Sequence, residues 1–258
     1  MVRTGLVSVT FRKFGAEAVV ELARRAGLEL IEWGGDVHVP VGDRANAERV
    51  RAMTLSAGLA VAAYGSYFRL GLGQDFKAIL ETGLWLGAPT IRIWAGNRGS
   101  RDTGRDDFIA IARELGEVAR QADAAGITVS VEFHPSTLTD STDSAVALIA
   151  AADHPAVRSY WQVPPGWGDA EQQASLQALR PWLSNLHVFH WTGPGTERRP
   201  LAEAQAQWRR LLDQAGADGG EHGALLEFVR DDSPQAFAED AACLKTLLQP
   251  PSAPFILG

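Results

Sequence analysis

Short apolar runs of six to nine residues alternate with longer amphipathic stretches along the whole chain. The runs predict β-strands over 5–11, 28–35, 59–66, 90–96, 127–134, 158–163, 183–191 and 223–229. The stretches between them carry apolar residues at helical spacing. They predict helices over 16–27, 46–58, 76–87, 106–126, 144–153, 170–183, 201–216 and 234–249. Several helices close on a glycine just ahead of a strand, at Gly27, Gly58, Gly87 and Gly126. A residue in the left-handed region ends a helix in this way. Eight strand-then-helix units in one chain predict a (β/α)8 barrel over residues 1–249 as a single domain. A doubly wound open sheet is the second architecture. Against it, the first turn, TFRKFGAEA, lacks the GxGxxG phosphate loop. The Pro-rich close of the chain, 250–258, reads as a tail whose Phe-Ile-Leu could pack on a neighbouring surface.

Composition narrows the partners. At 258 residues and 46% hydrophobic, the chain can bury one large core. Its net charge of −7 and scattered basic residues oppose a nucleic-acid surface, which needs a concentrated positive stripe. The one cysteine, Cys243, sits in a helical pattern and reads as a small core residue; no cysteine cluster exists for zinc. No apolar run approaches the roughly 20 residues that span a bilayer, and MVRTGLVSVTF lacks a signal-peptide pattern. The expectation is a cytoplasmic protein with a small-molecule partner, no nucleic acid and no membrane.

Four polar residues interrupt the apolar runs: Glu132 in ITVSVEFHP, Gln162 in RSYWQVPPG, His187 in LSNLHVFHW and Glu227 in GALLEFVRD. Charges are costly to bury unless paired or ligated. In a barrel, a residue late in a strand points to the mouth where active sites lie. Two carboxylates, an imidazole and an amide oxygen on successive strands can hold one divalent cation, with Mn, Mg, Co and Zn all permitted. Glu132 and Glu227 could then move protons at a carbon beside a carbonyl, as in ketose–aldose isomerisation or epimerisation. The competing reading pairs both glutamates with arginines across the barrel and makes His187 a hydrogen-bonded core histidine.

At these segments the chain resembles the sugar phosphate isomerase/epimerase family of the xylose isomerase-like barrel superfamily. The resemblance rests on IEWGGDVHVP after strand two, VEFHPSTLTDS after strand five, HVFHW on strand seven, and Glu227 on strand eight. It implies a metal held by Glu132, Gln162, His187 and Glu227, with Glu132 and Glu227 doubling as the acid/base pair. Strand six departs from the family pattern, offering YWQVPPGW where an acidic ligand is usual. That removes one negative charge from the ligand set. His190 and Trp191 likewise stand where an acidic or basic–acidic pair usually follows the metal histidine.

Around these four, His38, Arg92, Trp94, His134, His190 and Arg198 are substrate-binding candidates. Arg92 is also the natural partner for Glu32. Trp33, Trp94, Trp161, Trp167 and Trp191 fall at strand ends, where aromatic faces can cover a sugar ring. Ser66, Tyr67 and Arg69 are expected to shape the loop after strand three, with Tyr67 as a lid. The leading reading is a metal-dependent isomerase or epimerase acting on a sugar-like compound. A hydrolase or dehydratase on the same metal, and a sugar-binding barrel without turnover, are the alternatives. Oligomeric state is left open.

Overall fold

A computed structural model describes residues 1–164, 166–193 and 197–249. The tail read over 250–258 lies outside the described residues. Eight parallel strands close into a barrel: β1 (Val2–Val7), β2 (Leu30–Gly34), β3 (Ala60–Arg69), β4 (Thr90–Trp94), β5 (Thr128–Glu132), β6 (Val157–Gln162), β7 (Leu183–Val188) and β10 (His222–Leu226). Closure is made by β1 against β10, from Val2 opposite His222 to Leu6 opposite Leu226. Two short strands after β7, β8 (Trp191–Thr192) and β9 (Glu197–Arg198), pair antiparallel in a sheet apart from the barrel. No helix among the described residues is long and apolar enough to cross a membrane.

Among the described residues, eight α-helices link and cover the strands, from α1 (Ala16–Arg25) to α8 (Pro234–Leu248). Local sequence explains their ends. Asp75 accepts a hydrogen bond from Lys77 N at the start of α3 (Phe76–Leu86), and Gly87 (φ 73°) stops it in the left-handed region. Ser233 and Pro234 open α8 as cap and first residue. The main core fills the space between the outer strand faces and the helices. A smaller cluster, including Val7, Leu30, Ala62, Tyr160 and Leu225, lies apart from it.

Strand parity corrects part of the sequence reading. Successive strand residues face opposite sides of the sheet. The site-facing positions Glu32 and Gln162 therefore turn Trp33 and Trp161 outward. Both indoles are fully buried: Trp33 Nε1 donates to Thr54 Oγ1 of α2 (Arg44–Ser56) and Trp161 Nε1 to Ser175 Oγ of α6 (Asp169–Leu179), each at 3.1 Å. They pack the helical layer and do not reach the mouth. The first strand also ends earlier than 11. Ser8–Phe11 coils into a 3-10 turn, where Ser8 Oγ accepts from Gly34 N and Thr10 Oγ1 from Phe228 N. Conversely, β3 runs past the predicted end at Ser66 to Arg69, so Tyr67 and Arg69 belong to the strand rather than to a loop.

Candidate active site

The carboxyl ends of β2, β4, β5, β7 and β10 bring Glu32, Arg92, Glu132, His187 and Glu227 into one buried cluster. Arg92 is the bridge. Its Nε donates to Glu32 Oε1 at 2.7 Å and its Nη1 to Glu132 Oε2, so the expected Glu32–Arg92 pair is present. Trp94 Nε1 donates to the same Glu132 oxygen. The pair fits because residue 65 is glycine. A Cβ there would stand 2.6 Å from Glu32 Oε1 and 3.0 Å from Arg92 Nη2.

His187 joins the two halves of the cluster. Its Nε2 lies 3.2 Å from Glu32 Oε2, while Nδ1 faces Glu132 Oε1 at 3.5 Å and Glu227 Oε2 at 3.4 Å. Nδ1 is buried and has no hydrogen-bond partner. Tyr160 packs edge-on against the imidazole, and its hydroxyl accepts from Asn185 Nδ2 at 2.6 Å.

Charge is unevenly shared among the three carboxylates. Burial disfavours ionisation of Glu32, but Arg92 and His187 outweigh it and hold the group down at about 2. Burial likewise opposes Glu132, yet Arg92 and then His187 carry its carboxyl well below the ordinary range. Glu227 goes the other way. Burial, reinforced by the negative charges of Glu132 and Glu32, pushes it up to about 7 against the pull of His187 and Arg92. Burial also resists a charge on His187, but Glu227 and Glu32 overcome it and raise the imidazole to about 10.

Above the cluster opens a cavity of about 280 Å³. Arg92, Trp94, Glu132, His134, Gln162 and Glu227 line it, with Trp167, Phe189, Trp191 and Phe228 as aromatic walls. Trp94 and His134 stack at 5.3 Å between ring centres, and the Arg69 guanidinium lies 3.7 Å over the Trp94 ring. At the rim, Arg12 donates to Asp36 at 2.6 Å and to the Tyr67 hydroxyl at 2.8 Å.

Three sequence candidates stand elsewhere. His38 is buried behind β2, with Nε2 3.0 Å from Phe14 O and its ring against Trp33; it is absent from the cavity wall because the chain after Gly34 turns it toward α1. His190 lines an adjoining pocket, beside Thr192 and Gln207, that shares the Trp167, Phe189 and Trp191 walls with this cavity. Arg198 is tied to Asp232 and Val229 O and opens on a neighbouring pocket rather than this cavity. Arg12 and Phe228 were not singled out in the sequence, although Arg12 directly follows the first strand run and Phe228 lies near the end of the last. Position relative to the strand end was the available signal.

Glu132, His187 and Glu227 are the side chains that could hold a divalent ion. The fit rests on the unpartnered His187 Nδ1 facing one oxygen of each carboxylate. Gln162 Nε2 donates to Phe133 O at 2.9 Å, which assigns its amide oxygen as the acceptor left for the cavity. Among the described residues, no group of three or more His, Cys, Asp or Glu side chains is arranged, as it stands, to hold a metal ion.

A family model described as Xylose isomerase-like TIM barrel matches residues 20–247. The chain belongs to this family. Among curated relatives, a 3-dehydroshikimate dehydratase of Bacillus anthracis is 28% identical over 182 residues, covering 66% of this chain. The match spans 64% of that enzyme's own length, under two thirds. A crystal structure of a probable 3-DHS dehydratase from Bacillus anthracis superposes with a TM-score of 0.79 at 22% identity, covering 95% of this chain and 99% of that one. An L-ribulose 3-epimerase gives 0.69 at 18%, with 96% and 94% covered. A xylose isomerase-like barrel of Mycobacterium smegmatis in complex with magnesium gives 0.67 at 16%, with 95% and 96% covered. At these identities the solved structures share the fold of this xylose isomerase-like barrel.

Proposed function

We propose that this barrel removes a proton beside the carbonyl of a small hydroxylated ketone and then expels a β-hydroxyl as water, acting as a dehydratase. One observation carries the reading. Glu132 is committed to two donors, Arg92 and Trp94, whereas Glu227 meets only His187 and has no arginine partner among the described residues. The site therefore has one anchored carboxylate and one available for proton transfer.

A carboxyl poised near 7 can both take and return a proton at neutral pH. Glu227 accepts the α-proton as the C–H bond breaks and the enolate forms. The electron pair then makes the C=C bond as the β C–O bond breaks, and Glu227 returns its proton to the departing hydroxyl. Substrate and product differ by one water. Glu132 stays ionised, with Oε1 facing His187. The aromatic walls exclude solvent from the enolate. A divalent ion held by Glu132, His187 and Glu227, with the Gln162 amide oxygen, would supply polarisation of the carbonyl. The dehydratase relative at 28% identity supports elimination as the outcome.

Epimerisation shares the first step and is the second reading, favoured by the placement of carboxylates on both sides of His187 Nδ1. It needs a second group to deliver a proton to the opposite face, and Glu132 is the poorer candidate because its donors hold it ionised. The test is nuclear magnetic resonance in deuterium oxide, with Mg, Mn, Co or Zn added to chelated protein. Substrates are 3-dehydroshikimate and a panel of ketoses. Elimination from 3-dehydroshikimate gives a dihydroxybenzoate, and epimerisation gives solvent deuterium at carbon without loss of water. The expected result is elimination, reduced by roughly 10²–10⁴-fold in Glu227→Gln. Absence of both reactions, with Glu227→Gln indistinguishable from wild type, overturns the proposal.

A further inference from the structure

The opposite mouth of the barrel holds a larger hollow, about 450 Å³, against about 280 Å³ for the cavity above the carboxylates. Barrel interiors are ordinarily filled by layers of large branched side chains. Here the lower layer is built differently. Ala60 and Ala62 carry small side chains, and the polar residues Thr128, Arg158, Arg180, Ser184, Asn185 and His222 line it.

The hollow borders a hydroxyl network. Thr90 Oγ1 and Ser130 Oγ lie 2.7 Å apart, Ser130 donates to Ser184 Oγ at 2.9 Å, and Ser184 donates to Ser159 O at 3.0 Å. Asn185 is fixed by accepting from Gly223 N at 2.7 Å and donating to Tyr160. The hollow opens to solvent, so a specific occupant needs a reason in its lining.

Charge supplies one. The ion pairs at this mouth join Arg3 to Glu29 and Asp218 to His222, each at 3.1 Å. Among the described residues, the guanidinium groups of Arg158 and Arg180 have no ion pair, although both are half-buried. Glu221, the remaining acid of the lining, is exposed. Two arginine forks present planar donors suited to the oxygens of a phosphate or carboxylate. Thr128 supplies a hydroxyl for the rest of such a molecule.

We propose that the amino-terminal mouth of the barrel is a second binding site, for a small oxyanion-bearing metabolite held by Arg158 and Arg180. Phosphate esters and polycarboxylates share that chemistry. The site is independent of the reaction assigned to the carboxyl-terminal mouth.

The full chain is titrated with inorganic phosphate, glycerol 3-phosphate and citrate at constant ionic strength, by isothermal calorimetry and thermal melting. Saturable binding of at least one is expected, weakened roughly tenfold or more by Arg158→Gln and by Arg180→Gln, because each loses a charge-assisted contact. A phosphate preference or a citrate preference identifies the oxyanion. Arg98→Gln removes an equal charge from an exposed pair with Asp107 and is expected to leave binding unchanged. If Arg158→Gln does not fold, Arg180→Gln, in the surface turn Arg180–Trp182, carries the comparison. Failure of all three anions to saturate overturns the proposal. So does equal weakening by Arg98→Gln.

Discussion

His187 Nδ1 lies 3.4 Å from Glu227 Oε2, buried and without a hydrogen bond. With Glu132 Oε1 at 3.5 Å on the same nitrogen, the gap between the three groups suits a proton or a cation. The behaviour of the cluster follows from which of the two occupies it.

In metal-free protein the occupant is a proton, and stability should follow its loss. His187 is raised from 6.5 to about 10, and Glu227 from 4.5 to about 7, so both hold a proton more tightly folded than unfolded. The His187 contribution is complete below 6.5 and disappears as pH rises to about 10. That of Glu227 is complete below 4.5 and disappears as pH rises through about 7. Glu32 acts in reverse: its contribution is present above 4.5 and is lost only as pH falls toward about 2. Circular-dichroism melts of chelated protein should therefore show a melting temperature falling from mildly acidic to alkaline pH. Glu227→Gln should flatten the acidic part of that slope.

If a divalent ion enters the gap, it displaces protons from His187 and Glu227, since ligands bind deprotonated. Calorimetry in buffers of different ionisation heat should show net proton release on metal binding at neutral pH, with affinity rising as pH rises. Binding without proton release would contradict the ligand assignment.

Gln162→Glu tests the ligand set from another side. Adding a negative charge beside Glu132 and Glu227 should tighten divalent-ion binding by roughly tenfold or more, because ligand charge count tunes such affinities. The substitution also breaks the Gln162–Phe133 hydrogen bond. The metal-free variant should therefore melt below wild type, and titration with Mn or Mg checks both effects.

Arg92→Leu strips the bridge from two buried carboxylates. Leaving a buried charge without its partner costs about 3–5 kcal/mol. Urea unfolding should show a loss of that size. Adding Glu32→Gln to Arg92→Leu should recover part of it, because one of the stranded charges is then removed.

Much of this arrangement was legible in the chain. Eight strand runs gave the barrel, and each of Glu132, Gln162, His187 and Glu227 lies on the inner side near the same mouth. The Glu32–Arg92 pair was also readable, because two opposite charges inside apolar strands need each other. The errors came from side-chain direction. Trp33 and Trp161 sit at the right height but on the wrong face of the strand, and His38 follows a turn whose course no periodicity encodes. The different states of Glu132 and Glu227 were not legible either. Both are glutamates at strand ends, and only the positions of Arg92 and Trp94 distinguish them.

Gly65 carries no functional group, yet it has little freedom to change. Even alanine would press on the Glu32 oxygen that Arg92 Nε holds and on Nη2 of the same guanidinium. In a saturating mutational survey, this position should score with the carboxylates while contributing nothing to the chemistry. Intolerance there would measure room rather than reactivity. A methyl group at 65 would imitate the loss of Arg92 in a chain that still has every one of its charges.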